Sequence, residues 1–413
     1  MIARTRRVTI VALLLATAAC GSDADPSSRA STTAATSAPT GTEKTTPVES
    51  TVAPPATTVA PGEDAGFPIA AFAAIREDPV TAESAAEFQA ALNEMAGDGG
   101  ISATVMTAEG TWSGTAGTAD GVRDLQIDDQ FAIGSTTKSV IAAQVMQLVE
   151  AGDLSLDDLA DEYLPPDLDF DTNKATIRHL LSHRSGLPDH WPVVLPLLSA
   201  DLLRVWTPTD LLELAPTRRG TLGTYEYGDT NYLLLGLIIE RIRGLPLAQV
   251  LRSGVLAIDG VERVIYQPDE KPSEPMAMPG GGSTAALVLG GGYLPSLTGA
   301  TANGPAAAIA SDSPSLARWW RALCAGEIVS PASLTEMTTP AGTNDDGHRY
   351  GLGLFSVAEG YGPSVGHAGW DTGFSSFAAC LPEEGAVVIV LANSEIDDIQ
   401  GMARPLVLHL RTD

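Results

Sequence analysis

Helical spacing of apolar residues runs through several segments of the chain. In AESAAEFQAALNEMAGDGG, Phe88, Leu92 and Met95 stand four and three residues apart, which places them on one face of a helix. The segment FAIGSTTKSVIAAQVMQLVE carries a similar apolar stripe, and Gly152 follows it as a helix-ending residue. Further helices are predicted in TIRHLLSHRSGLPDHW, TPTDLLELA, NYLLLGLIIERIRG and SDSPSLARWWRALCAG, and from about 397 to 410.

Strand patterns stand near both ends of the chain. ISATVMTAEGTWSGTAGTAD predicts two strands joined at Glu109 and Gly110, and SVGHAGWDTGFSSFAACLPEEGAVVIVLAN predicts three, with PEEG as a hairpin turn. Residues 272–304 are rich in Gly, Pro and Ala and predict a loop. Strands at the two ends with helices between them favour an α+β fold. We expect an antiparallel sheet flanked by helices, with a mostly helical insertion at about 153–320.

The first 66 residues differ from the rest of the chain. MIARTRRVTIVALLLATAAC has the basic start, apolar centre and small residues of a secretory signal, and it ends at Cys20 like a bacterial lipobox, although Thr17 replaces the usual Leu. Residues 21–66 contain no Leu, Ile, Met or aromatic residue, which predicts a disordered tether. The folded domain is therefore expected at 67–413. We expect lipid anchoring through Cys20 to the outer face of the bacterial cell membrane; the alternative is ordinary cleavage and secretion.

Charge and cysteine content narrow the set of partners. The chain has 24 Lys and Arg against 51 Asp and Glu, a net charge of −27, which argues against nucleic acid as a partner. The six histidines lack H-E-x-x-H spacing and no C-x-x-C occurs, so we predict neither a metal nor another cofactor. Once Cys20 is set aside, Cys324 and Cys380 remain. In an exported protein two such thiols form a disulfide more often than they stay free, and both alternatives stay open.

Ser135 and Lys138 form an S-x-x-K sequence at the start of an apolar helix. Residues three apart share a helix face, so the lysine amine can reach the serine hydroxyl. A neutral amine can take the serine proton, and the helix N-terminus stabilises negative charge that develops there. S-x-x-K alone is a weak signal, since a capping serine followed by a surface lysine has the same letters.

Two further sequences carry polar residues suited to the same chemistry. Tyr227, in YEYGDTNYLLLG, precedes a buried helix, and a phenol near a lysine can pass a proton to a leaving group. In GHAGWDTGFSS, His367 and Gly369 open a strand whose backbone a peptide-like substrate can approach closely. Each residue also has a simpler explanation. Tyr227 would then be an aromatic residue of the core, and His367 a hydrogen-bonded histidine in a loop.

The order S-x-x-K, Y-x-N-like and H-x-G resembles the serine hydrolases related to class C β-lactamases and D-alanyl-D-alanine carboxypeptidases, and the likeness spans roughly residues 80–405. The resemblance implies Ser135 as acylated nucleophile, Lys138 as its base and Tyr227 as proton shuttle. It implies that His367 takes the place of a lysine found in many β-lactamases. It also implies an oxyanion hole made by the backbone N–H groups of Ser135 and Trp370.

Asp229 departs from this family pattern. The usual Tyr-Ser-Asn reads Tyr227-Gly228-Asp229 here, and an ionised carboxylate accepts hydrogen bonds but donates none. Asp229 is therefore expected at the substrate side of the site, where it favours a charged Lys138 and weakens β-lactam turnover. The alternatives are a protonated carboxyl group or a side chain turned away from the site.

These observations lead to an expected function with two alternatives. We expect an exported serine hydrolase that forms an acyl-enzyme, of the D-Ala-D-Ala carboxypeptidase or β-lactamase type, with peptides of peptidoglycan or β-lactams as substrates. An esterase acting on small acyl esters would use the same residues. A penicillin-binding or cell-wall-binding lipoprotein without turnover is the alternative outside enzymes.

Overall fold

The computed structural model describes residues 67–97, 99–279, 291–343, 349–356, 361 and 364–411. The predicted signal sequence, Cys20 and the tether lie outside these residues. Within the described part of the chain, no helix has the length and apolar character needed to cross a membrane.

The strands fall in two sheets. They are β1 Gly100–Thr107, β2 Gly110–Gly117, β3 Phe131–Ala132, β4 Ile265–Tyr266, β5 Ile309–Ser311, β6 Gly342–Thr343, β7 Arg349–Tyr350, β8 Phe355–Ser356, β9 Val365–Asp371, β10 Phe374–Leu381 and β11 Ala386–Ala392. The main antiparallel sheet has the order β2-β1-β11-β10-β9-β8-β7-β6, and a small sheet has the order β3-β5-β4.

The helices lie on both faces of the main sheet and in the segment between its two halves. They are α1 Ala70–Ala73, α2 Ala82–Met95, α3 Thr137–Ala151, α4 Ile177–Leu181, α5 Trp191–Val194, α6 Pro208–Leu214, α7 Thr230–Arg243, α8 Leu247–Ser253, α9 Leu297–Ala307, α10 Ser313–Cys324, α11 Pro331–Thr338 and α12 Arg404–His409. Short 3-10 turns occupy Gly134–Thr136, Ala160–Glu162 and Leu195–Ala200.

The two ends of the domain meet in the centre of the main sheet. Strand β1 pairs antiparallel with β11, so that Ile101 lies opposite Ala392. Strand β11 is buried along its whole length because helices cover both faces of the sheet. Val388 packs on the side of α2 and α12, whereas Ile389 belongs to the core on the side of α10. This confirms the α+β fold with an antiparallel sheet flanked by helices.

The prediction of a loop over 272–304 is wrong at its C-terminal end, where α9 begins at Leu297. Ser296 caps this helix by accepting a hydrogen bond from the Gly299 N–H over 3.1 Å. The helix is buried on all sides, so it lacks the alternation of apolar and polar residues that signals a helix in a sequence. Residues 280–290 of the same prediction lie outside the described part of the chain.

Two predicted helices are shorter than expected. The last helix begins at Arg404 rather than near 397, and Pro405 occupies its first turn, where a missing N–H costs nothing. The helix in TIRHLLSHRSGLPDHW ends at Leu181, because His183 adopts a left-handed backbone with φ 54°. The short strands β6 to β8 were not expected, since two-residue strands leave no period in the sequence.

Cys324 and Cys380 are joined by a disulfide in the structure. Cys324 ends α10 and Cys380 lies in β10, so the bond ties this helix to the sheet that it covers.

Candidate active site

Ser135 lies in the 3-10 turn Gly134–Thr136, between β3 and α3. Gly134 adopts φ +52°, and a Cβ atom at this position would lie 2.4 Å from the Trp370 carbonyl oxygen. The turn therefore requires glycine, both for its backbone conformation and for the close approach of β9. Ser135 is partly exposed, whereas the other residues of 131–140 are buried. The turn thus presents one hydroxyl at the edge of a closed core.

Lys138 is fully buried on the first turn of α3. Its Nζ donates hydrogen bonds to Ser135 Oγ at 2.9 Å and to the Ala306 carbonyl at 3.1 Å. It also forms an ion pair with Asp229 Oδ1 at 2.6 Å, and it lies 4.9 Å from the centre of the Tyr227 ring. The S-x-x-K spacing thus brings the amine to the hydroxyl, as the helix geometry predicts, and the remaining contacts come from distant parts of the chain.

Tyr227 precedes α7, and its ring lies beside Lys138. Burial of the phenol, followed by the nearby charge of Asp229, raises the pKa of Tyr227 well above its usual value, against a lowering effect of the neighbouring Ser135. Tyr227 is therefore a neutral phenol at physiological pH. The His183 ring packs on it with 4.1 Å between ring centres.

Asp229 and Asp189 place two carboxyl groups close to Lys138. The Asp229 N–H donates to Asp189 Oδ1 over 3.1 Å, and both residues are partly exposed. Burial, and then the neighbouring charge of Asp229, raise the pKa of Asp189 to about 6. The predicted contact between Asp229 and the lysine is present. Asp189 was not singled out from the sequence, because nothing near it in the chain indicates the approach of Asp229.

His367 is buried beneath the site rather than open to it. Its Nδ1 lies 2.6 Å from the Ala368 carbonyl, and its Nε2 lies 3.2 Å from the Tyr350 hydroxyl. A proton on Nδ1 satisfies the carbonyl and leaves Nε2 as acceptor for the phenol. Burial, and then the charge of Lys138, lower the pKa of His367 to about 3, so the ring is neutral.

The backbone of β9 lies against the turn that carries Ser135. A Cβ atom on Gly369 would lie 2.0 Å from the Ile133 carbonyl oxygen and 3.0 Å from the Ser135 nitrogen. The Ser376 hydroxyl strengthens this contact by donating to the Ile133 carbonyl over 2.6 Å. The N–H groups of Ser135 and Trp370 are thus brought to neighbouring positions, which is the arrangement that can stabilise an oxyanion.

The structure brings the predicted site residues into one region around Ser135. Cys324 and Cys380 lie outside this region, at the disulfide. His183, Asp189 and Ala306 also contribute to it, and the sequence indicated no role for any of the three. Among the described residues, no group of three or more His, Cys, Asp or Glu side chains could hold a metal ion.

A serine hydroxyl and a buried lysine at the head of a helix, beside an antiparallel sheet, are features of the β-lactamase and transpeptidase fold. The chain belongs to the Beta-lactamase family, whose model matches residues 59–410.

Relatives of known name share part of the chain. Penicillin-binding protein 4* of Bacillus subtilis (strain 168) is 26% identical over 299 residues, which cover 67% of this chain and 63% of that protein. Esterase EstB of Burkholderia gladioli is 31% identical over 180 residues, covering 40% of this chain and 45% of the esterase. The chain therefore spans less than two thirds of the length of these curated relatives.

The D-amino acid amidase from Ochrobactrum anthropi SV3, solved in complex with L-phenylalanine amide, is similar in fold. It aligns with a TM-score of 0.67 at 25% identity, covering 80% of this chain and 99% of the amidase.

Proposed function

We propose that this protein is a serine hydrolase that forms an acyl-enzyme on Ser135. The observation that carries the proposal is the 2.9 Å contact between Lys138 Nζ and Ser135 Oγ on a turn held against the backbone of β9. A nucleophile, a base beside it and two neighbouring N–H groups that can stabilise an oxyanion then surround the Ser135 hydroxyl.

Acylation would proceed by attack of Ser135 Oγ on the substrate carbonyl carbon while its proton moves to a neutral Lys138 amine. Lys138 reaches this neutral form by giving a proton to Asp229, 2.6 Å away, or to solvent. The oxyanion is stabilised by the N–H groups of Ser135 and Trp370. The bond to the leaving group then breaks, the Tyr227 phenol supplies its proton, and Lys138 returns a proton to the phenol.

Deacylation would use the same groups with water as nucleophile. The water gives its proton to the same base and attacks the ester carbonyl of the acyl-enzyme. The carbon–oxygen bond to Ser135 breaks, the oxygen regains a proton, and a carboxylic acid leaves.

We infer that the substrates are amides and peptides of D-amino acids without a carboxylate next to the scissile bond, and the charges around Ser135 support the lack of that carboxylate. In the described part of the chain, the charged side chains that act on the buried groups of the site are Lys138, Asp229 and Asp189. Lys138 is already paired, and the neutral His367 supplies no second cation. The likeness to a D-amino acid amidase supports the same substrate class. Peptidoglycan peptides belong to this substrate class where their carboxylates are amidated or lie far from the scissile bond.

Ester cleavage is a second candidate, favoured by the ion pair between Lys138 and Asp229. An ester carbonyl is more reactive toward a nucleophile than an amide carbonyl, so a serine base weakened by the ion pair limits ester cleavage less than amide cleavage. The likeness to Esterase EstB agrees with this alternative.

Export, with lipid anchoring through Cys20, completes the proposal. The N-terminal sequence has the pattern of a signal ending in a lipobox, and the Cys324–Cys380 disulfide is of a kind that persists in oxidising compartments. Metabolic labelling with an alkynyl fatty acid tests this, since label on the wild-type protein should be lost in Cys20→Ser. Equal labelling of both proteins would reject lipidation at this residue.

Mass spectrometry of the purified full-length protein tests acylation. We expect a covalent adduct on Ser135 after exposure to labelled penicillin or to an aryl acetate, and no adduct in Ser135→Ala. D-phenylalanine amide, a D-Ala-D-Ala peptide and the aryl acetate then separate amidase, carboxypeptidase and esterase activity. If no substrate is cleaved and no adduct forms, the proposal is wrong, and the alternative of a binding lipoprotein without turnover is favoured.

A further inference from the structure

Asn303 and Asp371 form a buried hydrogen bond next to the site. Asn303 Nδ2 donates to Asp371 Oδ2 over 2.7 Å, and the two residues are 4% and 2% exposed. They come from α9 and from the end of β9, 68 residues apart in the chain. Neither has a place in the acyl-transfer steps described above.

Asp371 is fixed directly beside an oxyanion donor. It follows Trp370 in β9, and its Oδ1 accepts a hydrogen bond from the Thr372 N–H at 2.7 Å. The backbone of Trp370 in turn lies against Gly134, next to the Ser135 turn. The carboxyl group therefore holds the end of the strand that carries the N–H group of Trp370.

Asn303 is fixed beside the acceptor that holds the lysine. Gly304 follows it with φ 46° and ψ −136°, which interrupts α9. Ala306 lies two residues further on, and its carbonyl accepts the hydrogen bond from Lys138 Nζ. A change at Asn303 would therefore move the segment that orients the amine.

A buried carboxyl group without a cation is a costly way to join two elements. In the part of the chain that the structure describes, Asp371 forms no ion pair with Lys, Arg or His. Burial raises the pKa of Asp371 to about 7, the effect expected of an uncompensated carboxylate. An apolar contact would join α9 to β9 at lower cost.

We propose that the Asn303–Asp371 hydrogen bond is a strut that sets the position of the Lys138 amine relative to the oxyanion donor Trp370. Both residues are positioning residues for acyl transfer, and this inference rests on the proposed function. Because a misplacement of about 1 Å can cost roughly 100-fold in rate, a strut between the base and the oxyanion hole affects kcat more than KM.

A reciprocal exchange tests the strut. Asn303→Ala and Asp371→Ala each remove the hydrogen bond, whereas the double variant Asn303→Asp/Asp371→Asn restores it with donor and acceptor exchanged. In that variant the amide that replaces the Asp371 carboxylate keeps a carbonyl oxygen, which can still accept from the Thr372 N–H. The control is Thr298→Val. Thr298 lies on α9, like Asn303, and its hydroxyl accepts a buried 2.9 Å hydrogen bond from the Trp206 ring N–H, which does not involve Asp371.

We expect each single alanine variant to lose about 10- to 100-fold in the rate of Ser135 acylation, with KM changed less than threefold. If a single alanine variant loses 100-fold in acylation rate, the exchanged pair should acylate at least tenfold faster than that variant. Thr298→Val should acylate at the wild-type rate while its melting temperature falls. Rates are measured on protein shown to be folded by circular dichroism.

The strut is rejected if the single alanine variants acylate at the wild-type rate, or if the exchanged pair is as slow as they are. It is also rejected if Thr298→Val loses as much rate as they do, since the effect would then reflect loosening of α9. Failure of the wild-type protein to acylate would instead reject the proposed function, and the strut with it.

Discussion

At the scale of single residues, the charge on Lys138 controls the chemistry of the site. Asp229 Oδ1 lies 2.6 Å from the amine, and a carboxylate at that distance stabilises the ammonium form. The serine next to it needs a neutral amine as base. In the proposed mechanism, Asp229 therefore slows acylation near neutral pH and also gives the amine a nearby acceptor for its extra proton.

Asp229→Asn should raise the acylation rate at pH 7. With the carboxylate removed, the ion pair no longer favours the ammonium form, so more of the lysine can act as base and the acid limb of the pH–rate profile should move to lower pH. Stopped-flow acylation by an aryl acetate between pH 5 and 9 measures the shift. Asp189→Asn serves as the control, with a smaller shift. An unchanged profile in Asp229→Asn would show that this carboxylate does not govern Lys138.

At the scale of elements, the site depends on the contact between β9 and the turn before α3. Gly134 and Gly369 let the two backbones approach more closely than any side chain would permit. The oxyanion donors therefore come from two elements that are distant in the chain, and any change that separates them weakens the site.

Gly134→Ala should reduce acylation at least 100-fold, because its Cβ would force the Trp370 backbone away. Gly244→Ala is the matched control, since Gly244 has φ +65° at the end of α7 and no atom within 4 Å of an added Cβ. Both variants carry the strain of a left-handed alanine, about 1–2 kcal/mol. If the two variants lose the same small amount of activity, contact with β9 is not required.

At the scale of the whole molecule, the sheet and the helix α10 are held by a covalent bond as well as by the core. The Cys324–Cys380 disulfide closes a loop over a separation of 56 residues, and both cysteines are fully buried. It lies outside the region around Ser135, so its contribution is to the stability of the fold.

The double variant Cys324→Ala/Cys380→Ala should lower the free energy of unfolding by about 4 kcal/mol, from the lost constraint on the unfolded chain. Urea denaturation measures this. Acylation at 25 °C should stay within twofold of wild type. If acylation activity falls by more than the folded fraction of the protein does, α10 supports the site directly.

The buried carboxyl of Asp371 makes stability depend on pH. Its pKa is about 7 in the folded protein against a usual value of 3.8, so the folded state binds the proton more tightly than the unfolded chain does. The resulting stabilisation is complete below pH 3.8 and is lost as pH rises through 7. The pKa of Asp189 is also raised, to about 6, so it adds a stabilisation of the same sign that is lost as pH rises through 6.

Asp371→Asn should therefore flatten the fall in unfolding free energy between pH 4.5 and 8. Each pKa unit corresponds to about 1.4 kcal/mol, so the effect is on the order of a few kcal/mol. Urea denaturation at several pH values compares the variant with wild type. Parallel curves for the two proteins would contradict the raised pKa.

Much of the fold could be predicted because its long elements have a clear period. Strand β1 and the strands β9 to β11 are apolar runs or alternations bounded by turn residues, and α3 and α7 end at glycines with a left-handed backbone. Such signals are local, so they need no knowledge of the partner element.

Elements without a local signal could not be predicted. The helix α9 is buried on every side and contains Gly304 and Pro305, so its sequence has the composition of a loop. The strands β6 to β8 have two residues each and form only because β9 offers an edge.

The sequence alone determined the identity and spacing of Ser135 and Lys138, because three residues on a helix face require no distant contact. The tertiary structure decided the charge and the orientation of that pair. Asp229, Ala306 and the strut between α9 and β9 reach the amine from separate parts of the chain. Charge and orientation depend on distance in space, and only the folded sheet and helices set that distance.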